Sequence, residues 1–211
     1  IEIRKEHRSF WYNQYSAAAI YGSGAVMDRL VKRIEAKGGR VHLKHEVKEL
    51  VIRDSQVSSV KFANGKEIDT KNSTIVSTIP LNNLCAAIGL KCGLRFNSVI
   101  LAYLIFEKDF VLPDNVQSIY FAHEATYFHR VSEQKKFSAK TFPKDKTILT
   151  FEISYTNKAH LLNLTEEQLL KEVLEQFSSL GFVEEKDYIT GFTRKWDSVN
   201  PILELGFEDE F

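Results

Sequence analysis

Apolar positions recur with two different periods along the chain, and the switches between them mark its elements. Val26, Met27, Leu30, Val31 and Ile34 follow Gly22-Ser23-Gly24 at helical spacing, which predicts an amphipathic helix opening near residue 23. Gly38-Gly39 closes it, and Lys32, Arg33 and Lys37 lie toward its negative C-terminal end. Period two takes over next. Val41 and Leu43 alternate with polar neighbours and predict a strand. Val47 to Ile52, Val57 to Phe62 and Lys66 to Asp69, divided by Asp54-Ser55 and Asn64-Gly65, predict a three-strand meander. Asn-Gly is the strongest short hairpin signal. Thr74 to Ile79, closed by Pro80, is a β-branched run with the pattern of a buried strand leaving a sheet.

The second half carries longer apolar runs. Leu81 to Leu90 reads as a short helix or coil. Strands are predicted at Ser98 to Phe106, Ile119 to Ala122, Tyr127 to Val131, Thr147 to Tyr155 and Tyr188 to Trp196. Thr165 and Gln168 have capping-box spacing, and Leu169, Leu170, Val173, Leu174 and Phe177 form one face of the helix they open. Residues 95 to 200 thus predict a mostly antiparallel sheet with a covering helix, an α+β lobe. Ile1 to Tyr21, with Phe10, Trp11, Tyr12 and Tyr15, has no clean period and predicts an irregular segment that needs a partner surface. A lobe boundary near residue 90 gives two domains, 1–90 and 91–211.

Composition narrows the functions. Lys+Arg and Asp+Glu balance at 28 each, so the bulk basic surplus of a dedicated nucleic-acid binder is missing. Hydrophobic residues make up 44%, enough to offset the ordering entropy that keeps polar chains disordered. No apolar run approaches the roughly 20 residues of a membrane-spanning helix. Cys85 and Cys92 match no zinc or redox spacing and suit a reducing, cytoplasmic setting as small buried residues. His42 and His45, three apart in a predicted strand, point to opposite faces, and His123 and His129 flank a turn, so no metal site is predicted. The chain has no G-x-S-x-G elbow, no P-loop and no G-x-G-x-x-G fingerprint. Two features remain. Gly22 and Gly24 at a helix start could serve an anion or could be a plain turn. Tyr120, Tyr127, Phe128, His129, Arg130, Arg194 and Trp196 form an aromatic and cationic group. Arg130 in it suits a phosphate or carboxylate, or else pairs with Glu133 or Glu152. Alternation puts Tyr127, His129 and Val131 on one face of the predicted strand, with Phe128 and Arg130 on the other.

A wider pattern joins these pieces. Tyr21-Gly22-Ser23-Gly24 through Leu30, Ile34 to Gly39, Val47 with Leu50, Val60, Asn64-Gly65, and Ile75 to Leu81 stand in an order that resembles the flavin-containing amine-oxidase superfamily. That group includes protoporphyrinogen oxidases, phytoene-type desaturases and UDP-galactopyranose mutases. Phe128 to Val131, Pro143, Thr150-Phe151-Glu152, Lys195-Trp196 and Pro201 are similar to its substrate lobe and the approach to its last flavin segment. The family's N-terminal fingerprint and closing glycine-rich segment are absent, and Tyr21 stands near the place of the usual Pro. With Ile1 as the first residue, this predicts an internal piece of a longer protein. The expected fold is part of an FAD-binding Rossmann-like domain with its β-meander, followed by the substrate lobe.

The resemblance implies FAD in the full-length protein and little or none bound by this piece alone. Val47 matches the position whose backbone meets the adenine. Thr78 and Pro80 match the strand end near the cofactor, and Gly22 and Gly24 the turn facing flavin or substrate. Arg130, Tyr127 and Trp196 fall in the substrate lobe, where an anionic small molecule would bind; no catalytic residue is implied. The expected function is an FAD-dependent oxidoreductase. The alternatives are a flavin-dependent nucleotide-sugar mutase of surface-polysaccharide synthesis and, from another class, a non-catalytic binding or scaffold module. Self-association through surface facing the missing parts is a further expectation.

Overall fold

The computed structural model describes residues 23–122, 125–137, 143–155, 159–203 and 205–206. Gly22, the aromatic segment before it, His123 and the last five residues lie outside the described set. The described residues form two compact units, one from 34–96 with 200–206, the other from 23–33 with 97–199.

The smaller unit is built on β1 (Val47–Arg53), β2 (Gln56–Phe62) and β3 (Glu67–Asp69), an antiparallel meander in that order. Its turns follow the sequence signals. Asp54 and Ser55 both take positive φ (50° and 59°), the geometry of a tight primed hairpin. Asn64-Gly65 makes the second turn: Gly65 has φ 82°, and the Asn64 side chain accepts from the Lys66 amide at 3.1 Å. Helix α1 (Ser23–Ala36) ends in the predicted glycine pair, with Gly38 at φ 82°. Helix α2 (Leu81–Ala87) starts directly after Pro80 and packs on β1.

Two predicted strands are not formed. Residues 41–43 lie in an irregular segment with Lys44 at φ 57°, and 74–79 are exposed, with Val76 83% accessible. A β-branched run becomes a buried strand only when neighbours pair with it and cover it. Thr74 to Ile79 has no ladder partner among the described residues.

The larger unit holds β4 (Arg95–Phe106), β5 (Ser118–Tyr120), β6 (Arg130–Glu133), β7 (Thr147–Ser154) and β8 (Tyr188–Ile202) in one sheet of order β5-β6-β7-β4-β8. The β5–β6, β6–β7 and β7–β4 pairs are antiparallel. At the far edge the Glu107 amide donates to Asp187 O and the Ser98 hydroxyl to Asp197 O, so β8 also runs antiparallel to β4. Helix α4 (Glu166–Ser179) covers one face; the short helix α3 (Gln134–Phe137) follows β6 directly. Thr165 caps α4 with the full reciprocal box: its hydroxyl accepts from the Gln168 amide, and the Gln168 side chain accepts from the Thr165 amide.

The core lies between α4 and the sheet. Leu169, Leu170, Val173, Leu174 and Phe177 meet Ile100, Ala102, Leu104 and Phe106 of β4 and Leu149, Phe151 and Ile153 of β7. Edge-to-face contacts of Phe151 with Phe128 and Phe177, at 5.1 and 5.0 Å, lock its centre. The architecture is thus α+β, with two antiparallel sheets and one covering helix.

Candidate functional site

Strand alternation leaves the larger sheet a second face, away from α4. On β4 it carries Leu101 and Tyr103; on β7, Thr150 and Glu152; on β6, Arg130 and Ser132; on β5, Ser118 and Tyr120. The register sets Tyr120 opposite Arg130, Arg130 opposite Glu152, and Glu152 opposite Leu101. One line of residues therefore crosses four strands.

Arg130 is the centre of that line. Its Nε donates to Glu152 Oε1 at 2.7 Å, and its Nη2 donates to the same oxygen. Nη1 donates to the Tyr120 hydroxyl at 3.1 Å, and the guanidinium carbon stands 5.6 Å from the centre of the Tyr120 ring. Partial burial pulls the Arg130 pKa down, but Glu152 and Tyr120 outweigh it and hold the guanidinium charged, with a net upward shift. His129 Nε2 lies 3.8 Å from Glu152 Oε2. Glu152 thus stands between two neighbours, paired with Arg130 and close to the His129 ring.

At the other edge, Tyr103 stacks on Phe192 with ring centres 4.7 Å apart, and the Arg194 guanidinium lies over the Phe192 ring, 5.2 Å from its centre. Arg194 Nη1 donates to Thr193 O at 2.8 Å. Trp196, two residues on and 46% exposed, continues the same face. Burial pushes the Tyr103 phenol up; Arg194 opposes and Glu152 assists. The three strand intervals from β6 to β8 separate Arg130 and Arg194 by about 14 Å.

Arg130 and Trp196 therefore share a face, but Tyr127 does not join them. Its amide donates to Gln176 Oε1 at 2.8 Å, its ring meets His160 edge-on at 5.8 Å, and its phenol is raised by a hydrogen bond to Glu172. These partners belong to α4 and its approach. Phe128, 1% exposed, sits in the core with Val131. The predicted grouping of Phe128 with Arg130 thus fails, because the strand begins at Arg130 and alternation cannot be extended back through 127–129. Of the two acids expected as partners, Glu152 takes Arg130. Glu133 is wholly buried and accepts from the Val111 and Leu112 amides and from the Thr147 hydroxyl.

In the smaller unit, Val47 opens β1, an edge strand of the meander. It pairs with Phe62 while Glu49 pairs with Lys61, so Lys48 is the extra residue of a bulge. An edge strand offers backbone groups outward, which fits a backbone contact with a planar base. Thr78 and Pro80 are exposed on the irregular run before α2. Gly24 sits in the first turn of α1, where an added Cβ would meet nothing within 4 Å. Among the described residues no three His, Cys, Asp or Glu side chains are grouped to hold a metal. His42 and His45 do not straddle a strand: the turn at Lys44 brings their rings to 5.2 Å. Sequence reasoning missed the Tyr103–Phe192 stack, because β4 is apolar on both faces and its period-two signal is blurred.

The chain belongs to the flavin-containing amine oxidoreductase family, whose sequence profile it matches over residues 4–207. A 61-residue stretch is 38% identical to a lycopene-forming phytoene desaturase of Pseudescherichia vulneris, covering 27% of this chain and 12% of the desaturase. The fold is similar to a crystal structure of reduced UDP-galactopyranose mutase, with a TM-score of 0.69 at 13% identity over 84% of this chain and 39% of that one. It is also similar to a candidate protoporphyrinogen oxidase from Exiguobacterium sp. 255-15, with a TM-score of 0.63 at 16% identity over 87% and 41%. The chain thus spans well under half the length of these proteins. No helix among the described residues is long and apolar enough to cross a membrane.

Proposed function

We propose that this chain is part of an FAD-dependent oxidoreductase, in which the β1 edge and the residues before α2 border the cofactor and the face of the larger sheet away from α4 receives the substrate. FAD supplies hydride acceptance; the chain's own residues bind and orient. The single observation that carries the substrate side is the cross-strand line Tyr120–Arg130–Glu152 on a sheet face that α4 leaves uncovered. Support for the cofactor comes from the family match across nearly the whole chain. The substrate is a small, anionic molecule, since Arg130 is held charged and half exposed. A cytoplasmic setting belongs to the same proposal. Val47, Thr78, Pro80 and the Gly22–Gly24 turn are assigned to the cofactor side, Arg130 and Trp196 to the substrate side. Tyr127 acts behind them, through α4.

The test uses the full-length protein. Purified material is expected to show a flavin visible spectrum, directly or after reconstitution; a colourless protein that cannot be reconstituted overturns the proposal. With flavin loaded, Arg130→Ala is expected to raise KM for the substrate roughly tenfold, about 1.4 kcal/mol, with flavin content unchanged. An unchanged KM removes Arg130 from the substrate side.

A second reading, a flavin-dependent nucleotide-sugar mutase, draws on a specific feature: the sheet face that carries Arg130 over Tyr120 also carries Arg194 over Phe192 of the Tyr103–Phe192 stack. That spacing suits an extended ligand with a flat base and a diphosphate. Titrating a UDP-sugar into wild-type and Arg194→Ala protein decides it. Tight binding weakened by the substitution supports the mutase, and absent binding rejects it.

A further inference from the structure

The two cysteines, read from spacing alone as small buried residues, are brought together by the way α2 ends. The Ile88 amide bonds to Leu84 O at 3.2 Å and to Cys85 O at 3.1 Å, and the Gly89 amide to Ala86 O at 3.1 Å. Gly89 takes φ 77°, and the Leu90 amide returns to Cys85 O at 2.8 Å. This is the hydrogen-bonded reversal that closes many helices. Farther out, the Asn82 side-chain amide donates to Leu94 O at 2.7 Å. Residue 90 therefore lies against 85 and residue 94 against 82, so the segment runs back along the helix it has just left. Cys92 falls between those two fastenings, in the returning segment. Cys92 is a near enough neighbour to push the Cys85 thiol upward, and both cysteines are free and half-exposed.

We propose that Cys85 and Cys92 are a reversible redox-modification site that closes to an intrachain disulfide across the α2 reversal. The oxidant class is a low-molecular-weight disulfide such as glutathione disulfide. One protein thiolate attacks a glutathione sulfur, forming a mixed disulfide and expelling a glutathione thiolate. The second protein thiolate then attacks the protein sulfur of the mixed disulfide and expels the other glutathione. Two protein thiols are oxidised, one glutathione disulfide is reduced to two thiols, and the two protons end on glutathione. Burial, then the neighbouring Cys92, pushes the Cys85 thiol up, so at neutral pH Cys85 rests as a thiol until an exchange partner arrives. Closure pins 88–94 to α2, immediately after Pro80.

Lys91, between the two cysteines, makes the test direct. The full-length protein is equilibrated in glutathione redox buffers, both folded and in urea, then acid-quenched and cut with trypsin without reduction. Peptide 72–91, holding Cys85, is expected to appear joined to peptide 92–95, holding Cys92, at a mass two hydrogens below their sum. Dithiothreitol should separate them, and Cys92→Ser should leave Cys85 only as a glutathione adduct or free thiol. Because the fold places the sulfurs together, the disulfide is expected to form about tenfold more favourably in the folded protein than in urea. Recovery of the two peptides separately, or an equal yield folded and unfolded, overturns the proposal.

Discussion

At the scale of the residue, two glutamates on neighbouring strands differ in the face they occupy. Glu152 lies on the face away from α4 and pairs with Arg130. Glu133 points into the core side at 0% exposure, where its two oxygens gather the Val111 amide at 2.9 Å, the Leu112 amide at 2.9 Å and the Thr147 hydroxyl at 2.7 Å. Three donors around one buried carboxylate make it a clasp for the loop after β4. Glu133→Ala would strand all three, and hydrogen bonds to charged groups contribute about 1.5–3 kcal/mol each with strong non-additivity. The expected loss of stability is about 3 kcal/mol, read as a lower urea midpoint at unchanged slope. A loss below about 1 kcal/mol would show that water replaces the clasp. Sequence alone named both glutamates as partners for Arg130 but could not choose. That choice depends on where the strand begins, and the start at Arg130 is set by pairing with β5 and β7, which no local pattern encodes.

Glu166 supplies a pH dependence at the same scale. The Thr193 hydroxyl and then the Thr193 amide, each at 2.7 Å, hold its carboxyl below the usual carboxylate range, against a smaller opposing effect of burial. A carboxylate with a lowered folded pKa adds stability at pH above its unfolded value and loses it as pH falls through the folded one. Wild-type stability should therefore fall through the acidic carboxylate range more steeply than that of Glu166→Gln, with the two curves converging at the acid end. Parallel curves from neutral to acid pH would remove Glu166 as the tie between α4 and β8.

Among elements, β8 approaches β4 closely at Gly191. A Cβ at Gly191 would lie 2.6 Å from Tyr103 O, a backbone atom that cannot swing aside, and 3.1 Å from Leu170 of α4. Gly191→Ala must push the strand off its neighbour and should cost about 1–3 kcal/mol, as overpacking does. It should also loosen the Tyr103–Phe192 stack, detectable as a changed near-ultraviolet circular dichroism signal. Gly24→Ala, with open space around it, is the control and should not destabilise. Elements with local causes were legible beforehand: the α4 capping box, the Asn64-Gly65 turn and the Gly38 stop each act within a few residues. The strand expected at 74–79 was not, because a buried strand is defined by what lies beside it. The close approach at Gly191 joins residues 88 positions apart and leaves only a glycine in the sequence as its trace.

For the whole molecule, the two units differ sharply in how they are held. Every residue of the main buried cluster, from Ile100 to Val183, belongs to the larger unit. In the smaller unit the described core residues are few, while Leu43, Ile52, Ile68, Val76 and Leu90 stay exposed, Val76 at 83%. Apolar surface of that kind is stable only against something else. On the reading above, part of that something is FAD, bound by the whole protein along β1. A ligand that binds only the folded state stabilises what it touches by mass action, and the effect is local where opening is local. Hydrogen exchange on the full-length protein, with and without FAD, should then show protection rising by about tenfold or more in 47–69 and 75–87. Protection in β4 and β7, already supplied by their own core, should stay unchanged. Equal gains in both units would mean that FAD acts through global stability alone. A gain confined to β4 and β7 would place the cofactor against the larger sheet and would break the assignment of Val47.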